Sequence, residues 1–258
     1  LYHDMGLIGA WLGSLYFAMP LVLMSPLAFL ARPSRWPQTI SRHRGTLTAA
    51  PNFAYELCAK KLDDADLAGL DLSSLRLALN GAEPVSQATL EAFIQRYAPY
   101  GLQPVAITPV YGLAECSVGL AFPPVGRGPR IDAVRRAAFM SERRALPAVE
   151  GEVGTMLVPA CGRALPGHEI RIVDTGGDEL PDRQVGCLQF RGPSATRGYY
   201  RNPEATARLF RDGWLDSGDY AYMVEGETYL TGRAKDLIIR GGRNLSPYEL
   251  EEAVGAIP

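Results

Sequence analysis

The sequence predicts an α/β fold in which a parallel sheet covered by helices is followed by a small antiparallel β subdomain. Apolar, β-branched runs alternate with amphipathic helical patterns through the first part of the chain, which is typical of parallel sheets. After Gly162, short strands are separated by Gly-Asp and Asp-Gly turns, which favours antiparallel pairing. Near the end, a strand at residues 237–239 precedes a Gly-Gly turn and a capping box at residues 246–249, which together predict a strand, a turn and a helix.

Bulk composition indicates a globular protein and excludes several functional classes. The chain has 258 residues, of which 47% are hydrophobic and 21% charged, so it can bury a sizeable core. A formal charge of -2 gives no electrostatic reason to expect a nucleic-acid partner. The 4 cysteines lie far apart, without the spacing of a zinc site or the density of a disulfide scaffold. The composition therefore predicts a cytoplasmic protein.

The two ends of the sequence predict a piece of a longer protein. The chain opens on Leu1 with no targeting signal and stops at Pro258 within a helical pattern. Residues 7–24 are uncharged and close to the length of a membrane span. Their glycines and Pro20 favour another interpretation, an apolar helix to about Ala18 followed by a buried strand at residues 21–24. We therefore predict that the protein is not an integral membrane protein.

Three strands are predicted in the parallel sheet. The first, at residues 45–50, ends at Pro51, after which Asn52 is predicted to cap a helix running toward Leu62. The second covers residues 75–79 and the third residues 105–108. A helix between them places four apolar residues on one face, with a serine as its cap; these are Leu90, Phe93, Ile94, Tyr97 and the cap Ser86.

Glycine-bearing polar loops follow two of these strands directly. They are Asn80-Gly81-Ala82-Glu83-Pro84 and Tyr111-Gly112-Leu113-Ala114-Glu115. Open α/β sheets bind ligands at the carboxyl ends of their strands, so the loops predict a cleft at this edge.

The segment at residues 123–155 has little periodicity and is interpreted as an insertion or long loop. Its arginines at residues 127–144 have glutamates nearby, which favours a solvated segment without a bound polyanion. Beyond it, antiparallel strands are predicted at Glu169–Val173, Gly186–Arg191 and residues 228–230.

The order of the motifs gives a specific resemblance. Along the chain come His3 in Tyr-His-Asp-Met-Gly, the two loops, Asp216-Ser217-Gly218-Asp219, and Gly232-Arg233-Ala234-Lys235-Asp236 with Gly241-Gly242. Taken together, these motifs resemble the acyl-adenylate-forming superfamily of AMP-binding enzymes, and the likeness covers essentially the whole chain. Residues 1–9, 24–30 and 51–57, with the long segment before Cys161, are most similar to fatty acyl-AMP ligases.

This resemblance implies a domain organisation. Residues 1–160 correspond to the later part of a large adenylation domain, with 123–155 as its insertion, and 161–232 to an antiparallel β subdomain. Residues 233–236 correspond to a hinge and 237–258 to the start of a C-terminal α+β lid. The family's phosphate loop and lid lysine would lie outside the 258 residues, so the isolated chain is not expected to adenylate efficiently.

The implied reaction is attack of a fatty-acid carboxylate on the α-phosphorus of ATP, with release of pyrophosphate. Glu115 corresponds to a Mg²⁺ ligand, a role that suits one carboxylate beside phosphate oxygens. The alternative for this pentapeptide alone is a solvated loop glutamate. His3 corresponds to a catalytic residue near the reacting carboxylate, although a lone histidine is more often structural.

Nucleotide contacts are implied for Gly81, Ala82, Glu83, Tyr111, Gly112, Leu113, Ala114, Asp219 and Arg233. The backbone of 81–83 would hold adenine, while Tyr111 would stack on the ring and Gly112 would admit it. Asp219 would accept hydrogen bonds from both ribose hydroxyls, and Arg233 would contact ribose or phosphate. The plainer interpretations are a strand-to-helix turn for residues 81–83, a buried aromatic next to a turn for Tyr111 and an ordinary Gly-Asp turn for Asp219.

The resemblance also implies conformational roles. Lys235 occupies the hinge position, and Gly241 and Gly242 belong to a lid loop near the thiol tunnel.

Three functions remain open at this level. The acyl group would pass to the phosphopantetheine thiol of an acyl carrier protein, or to coenzyme A in an acyl-CoA synthetase. A catalytically silent adenylate-binding domain of a larger synthase is the third possibility.

Overall fold

The computed structural model describes residues 3–233, 238–240, 243–245 and 254. The chain divides into two compact units, Leu1–Pro129 and Arg130–Pro258. The domain boundaries expected at residues 160, 232 and 236 stay predictions.

The first unit is a small parallel sheet surrounded by short helices. A π-helix at Met5–Leu12 precedes α1 (Gly13–Tyr16), α2 (Pro26–Ala31), α3 (Arg35–His43), β1 (Leu47–Ala50), α4 (Asn52–Lys60), β2 (Leu77–Asn80), α5 (Gln87–Tyr97), β3 (Ile107–Pro109) and β4 (Ala121–Phe122). Short 3-10 turns lie at Asp64–Leu67, Ala98–Tyr100, Pro104–Ala106 and Ala114–Cys116. The sheet order is β1-β2-β3, and both pairings are parallel. The predicted parallel sheet is confirmed, and the carboxyl ends of its strands share one edge.

Aromatic side chains form the centre of the first core. The Tyr55 ring lies 5.0 Å from Phe93, whose ring lies 4.5 Å from Tyr97, joining α4 to α5. The two tyrosine hydroxyls donate to backbone carbonyls, Tyr55 to Leu79 at 2.9 Å and Tyr97 to Cys58 at 3.1 Å. Because buried hydroxyls need such partners, the first bond fixes α4 to β2 and the second fixes α5 to α4. The predicted apolar face of α5 and its Ser86 cap are confirmed.

The strand predicted at residues 21–24 is wrong. These residues form no strand and Leu23 is 56% exposed. Pro20 and Pro26 flank the segment, and neither has a backbone N–H to donate to a neighbouring strand. The parallel sheet in the described part of the chain consists of β1–β3 alone. The helix predicted before it is present, but its apolar residues, such as Leu15 and Tyr16, are exposed as well. No helix in the described part of the chain is long and apolar enough to cross a membrane.

The second unit is built around an antiparallel sheet. Its elements are β5 (Ile131–Arg135), α6 (Arg136–Glu142), β6 (Thr155–Pro159), β7 (Arg163–Ala164), β8 (Glu169–Val173), β9 (Gly186–Arg191), α7 (Pro203–Leu209), β10 (Phe210–Arg211), β11 (Trp214–Val224), β12 (Glu227–Arg233), β13 (Ile238–Arg240) and β14 (Arg243–Leu245). The sheet order is β10-β11-β9-β8, and β12 also pairs with β11. Glu225 and Gly226 join β11 to β12 with φ of 53° and 77°, the positive values that a tight hairpin turn requires. The predicted antiparallel subdomain is confirmed.

The segment expected to be irregular contains regular structure. Residues 123–155 include β5 and α6, and β5 pairs with β6. Asp132 on β5 accepts from Tyr222 at 2.8 Å and from Arg183 at 3.0 Å, and Val134 is completely buried. These long-range contacts, which local periodicity does not encode, order the segment. Its identity as a family insertion stays a prediction.

Candidate functional site

The two glycine-bearing loops of the first unit begin side by side. Val110, just after β3, donates its N–H to the carbonyl of Asn80 at the end of β2, at 2.9 Å. A Cβ placed on buried Gly81 would lie 2.9 Å from the carbonyl oxygen of Val110. A side chain at residue 81 would therefore force the strand ends apart, which explains the glycine independently of any ligand.

The rest of the first loop combines an unusual backbone with a side-chain anchor. Ala82 is exposed and has a φ of 70°, in the left-handed region that a non-glycine residue rarely adopts. The Glu83 carboxylate accepts a hydrogen bond from the backbone N–H of Phe53, at the start of α4. The exposed residue Ala82 is thus held in a fixed position at the sheet edge.

The second loop is closed by its own backbone. Tyr111 forms an antiparallel bridge with Ala121, whose carbonyl accepts from the Tyr111 N–H at 3.0 Å. Ala114–Cys116 form a 3-10 turn, after which Ser117 and Val118 have φ of 50° and 83°. A β-branched residue in this region is a strained arrangement, and such strain concentrates at functional sites.

Replacing Gly112 by alanine is expected to disrupt the second loop. The new Cβ would collide with the backbone carbonyl of Val118, which cannot rotate away as a side chain could. We expect the free energy of unfolding to fall by about 1–3 kcal/mol, the usual cost of overpacking. Urea denaturation measures it, with Gly9→Ala as a matched control because a Cβ there would meet its nearest atom at 3.9 Å. Equal stability of the two variants would contradict this role for Gly112.

Glu115 is the carboxylate that this loop presents. It is half-buried within the turn at Ala114–Cys116. The described residues contain no group of three or more His, Cys, Asp or Glu side chains that would hold a metal ion by themselves. A single carboxylate fits Mg²⁺, which takes one or two protein carboxylates and completes its shell with phosphate oxygens and water.

His3 lies at the start of the first helix. Its side chain is 66% exposed, and its Nδ1 lies 2.7 Å from Oδ1 of Asp4. A Cβ on Gly9 would lie 3.9 Å from Val118 Cγ1, so the helix at Met5–Leu12 runs beside the loop that carries Glu115. The first unit therefore brings together the helix after His3 and this loop.

A bulge in the second unit carries the predicted ribose-binding residue. Pairing between β11 and β9 stops after Asp216 and resumes at Tyr220. The intervening residues 217–219 oppose only Leu188 of β9. Such a bulge re-aims a side chain relative to the regular pleat.

Hydrogen bonds from backbone N–H groups to side-chain oxygens stabilise the bulge, and its carboxylate lies beside a guanidinium. The N–H of Gly218 donates to Asp216 Oδ1 at 2.9 Å, and the N–H of Asp219 donates to Ser217 Oγ at 3.1 Å. Asp219 pairs in register with Arg233 of β12, and Arg233 Nε lies 3.5 Å from Asp219 Oδ1. The Asp219 side chain is 12% exposed and that of Arg233 70%. A carboxylate that accepts hydrogen bonds thus lies beside a cation that can contact an anion.

The remaining predicted residues fall into two sets, one outside the described residues and one within the second loop. Lys235, Gly241 and Gly242 are outside the described residues. Leu113 and Ala114 belong to the second loop, where Ala114 is exposed.

Comparison with known proteins identifies the family. The family model described as AMP-binding enzyme matches residues 1–200. The chain belongs to the AMP-binding enzyme family. A putative acyl-CoA synthetase of Caulobacter vibrioides is 40% identical over 97% of this chain and 44% of that protein. A long-chain-fatty-acid–AMP ligase of Mycobacterium bovis is 37% identical over 100% of the chain and 46% of that protein.

Solved structures of AMP-binding enzymes have the same fold. A structure from a study of fatty acyl-adenylate ligases of E. coli and L. pneumophila has a TM-score of 0.95 and 35% identity, covering 100% of this chain and 46% of that one. The predicted family and fold class are both confirmed. The chain spans about half the length of the relatives it matches, which are covered to 44% and 46%.

The structure also gives the polar residue Asn52 a role other than the predicted one. Asn52 was predicted to cap α4, but Pro51 holds the cap position and Asn52 begins the helix. Its side chain instead hydrogen-bonds to residues around the first loop, including Asn80. The only sequence signal for this role of Asn52 was an asparagine directly after a strand-ending proline, and that pattern is equally typical of a helix N-cap.

Proposed function

We propose that the AMP-binding enzyme containing this chain activates a fatty acid with ATP, forming the acyl-adenylate and releasing pyrophosphate. The observation that carries the proposal is the likeness of the whole chain to a fatty acyl-adenylate ligase structure. A relative whose name specifies a long-chain fatty acid and AMP supports the same substrates.

In this reaction a carboxylate oxygen of the acid bonds to the α-phosphorus, and the bond from that phosphorus to the pyrophosphate oxygen breaks. The enzyme must align two anions and offset their repulsion, so positioning and positive charge supply most of the rate. Mg²⁺ held by Glu115 and the phosphates would neutralise developing charge. His3 is proposed to position the acid near the α-phosphate.

The nucleotide contacts are proposed residue by residue. Backbone at Gly81, Ala82 and Glu83 would hold adenine, an assignment supported by the exposed, left-handed Ala82 in an anchored loop. A second set of contacts with the adenine ring would come from Tyr111, Gly112, Leu113 and Ala114. Asp219 would accept from both ribose hydroxyls, and exposed Arg233 would contact ribose or phosphate.

Conformational roles are proposed for residues outside the described part. Lys235 would be the hinge about which the lid turns, and Gly241 and Gly242 would form the lid loop near the entering thiol. These roles, and the domain boundaries at 160, 232 and 236, follow from the family resemblance.

All four cysteines are free thiols, which supports the cytoplasm as the working compartment.

ATP–pyrophosphate exchange tests the first half-reaction. The full-length ligase is expected to incorporate labelled pyrophosphate into ATP only when Mg²⁺ and a fatty acid are both present. The isolated 258-residue chain is expected to show little exchange. An intact ligase that exchanges with no fatty acid of any chain length would overturn the proposal and favour a silent adenylate-binding domain.

The proposed acceptor is the phosphopantetheine thiol of an acyl carrier protein. The ordered segment at β5 and α6, which we propose to be the acyl-AMP ligase insertion, supports this acceptor. Coenzyme A is the second candidate, favoured by the relative named as an acyl-CoA synthetase. Adenylate that charges a carrier protein but persists with coenzyme A would support the first acceptor, and rapid acyl-CoA formation the second.

A further inference from the structure

One carboxamide oxygen holds both ends of the first glycine loop. Asn52 Oδ1, at the start of α4, accepts from Asn80 Nδ2 at 3.2 Å and from the backbone N–H of Ser86 at 3.2 Å. Asn80 immediately precedes Gly81, and Ser86 lies just beyond the loop. The separation between the two ends of the loop is therefore fixed by a side chain from another element.

The same helix start also holds the middle of the loop. Phe53, the residue after Asn52, donates its backbone N–H to the Glu83 carboxylate. This N–H belongs to the first turn of α4, where backbone donors have no partner within the helix. The loop is thus attached at its beginning, middle and end to two consecutive residues of α4.

Burial makes these contacts rigid. Asn80 is completely buried, and Asn52 is 6% exposed. Asn52 Nδ2 donates to Thr89 Oγ1 of α5 at 3.4 Å, a longer bond that does not involve the loop. Asn80 Oδ1 is also buried, yet it accepts no hydrogen bond from any residue that the structure describes. An unpaired buried acceptor costs free energy, so this asparagine is retained at some expense of stability.

We propose that Asn52 and Asn80 are positioning residues that set the geometry of the adenine-binding loop without touching the nucleotide. This inference rests on the proposed function and identifies what fixes that part of the site. A flat ring held by loop backbone requires the loop at a defined position, and small displacements reduce binding sharply. The Asn52 oxygen supplies that position through two hydrogen bonds to the loop ends.

Asn80→Leu separates positioning from stability. The side chain is similar in size, and the change removes the unpaired Oδ1 while Asn52 Oδ1 keeps its bond from Ser86. Stability is therefore expected to be unchanged or higher, since no polar group is newly stranded. The KM for ATP in the full-length ligase is expected to rise about ten-fold, which is the effect of losing one hydrogen bond between the displaced loop and the adenine. The KM for the fatty acid should not change.

Three further variants complete the test. Asn52→Leu removes both loop bonds and should raise the ATP KM at least as much. Asn52→Asp keeps the accepting oxygen and should restore an ATP KM near wild type. Thr89→Val removes only the bond on the far side of Asn52, so it serves as a buried control that lowers stability without changing the ATP KM.

The outcomes separate this inference from the proposed function. If the wild-type ligase forms no adenylate, the proposed function fails. The positioning role is then tested by measuring direct AMP binding to the same variants. If the wild type is active and Asn80→Leu has an unchanged ATP KM, the positioning role is wrong. A rise in the ATP KM that Thr89→Val reproduces would also overturn it, because the effect would then follow stability alone.

Discussion

Replacing Glu115 by glutamine is expected to lower fatty-acid-dependent ATP–pyrophosphate exchange by about 100-fold, through weakened Mg²⁺ binding. Glutamine keeps the size of the side chain and one oxygen, but it removes the negative charge that holds a divalent cation. The turn at Ala114–Cys116 is held by backbone hydrogen bonds, so the fold should survive. The Mg²⁺ concentration for half-maximal exchange should also rise, and that titration is the primary measurement.

A control for this prediction uses another glutamate of the first unit. Glu91 lies exposed on α5, and Glu91→Gln makes the same chemical change outside the two loops. Its exchange rate and Mg²⁺ dependence should match those of wild type. A Glu115→Gln enzyme with the wild-type Mg²⁺ requirement would show that Glu115 is the solvated loop residue of the plainer interpretation.

Replacing Asp219 by alanine should reduce kcat/KM for ATP by about 100-fold or more, because two charge-assisted hydrogen bonds to the ribose are lost. The bulge should persist, since it is held by the N–H groups of Gly218 and Asp219 and not by the Asp219 carboxylate. The partner Arg233 is 70% exposed, so removing the carboxylate strands no buried charge.

Deoxynucleotides provide the internal control for Asp219. Wild-type enzyme should prefer ATP strongly over 2′,3′-dideoxyATP, and Asp219→Ala should use the two nucleotides about equally well. The comparison is made within each variant, so a general loss of activity cancels. A variant that still discriminates as strongly as wild type would rule out ribose recognition by Asp219.

Elements with strong local patterns could be predicted from the sequence. Strands β8 and β9 have the predicted bounds, because β-branched and aromatic residues there are delimited by turn residues. Ser86 caps α5 as predicted, since a serine before an amphipathic helix has a specific local role. The order of the loops along the chain was enough to predict the family.

Features that depend on distant contacts could not be predicted in this way. Residues 21–24 are apolar like a buried strand, yet whether such a run pairs depends on a partner strand that its own sequence does not specify. Asn52 follows the rules of a helix cap, but its side chain bonds to residues on other elements instead. The bulge at residues 217–219 is set by pairing with β9, and the motif alone gives no register.

Isotope transfer tests the central claim most directly. Full-length ligase would be given ATP, Mg²⁺ and a fatty acid labelled with ¹⁸O at both carboxylate oxygens, followed by a phosphopantetheinylated carrier protein. We predict an acyl-adenylate in the mass spectrum and then AMP containing one ¹⁸O, because the attacking carboxylate oxygen stays on the α-phosphorus after acyl transfer. Unlabelled AMP, or ¹⁸O in pyrophosphate or inorganic phosphate, would contradict acyl-adenylate formation by this enzyme.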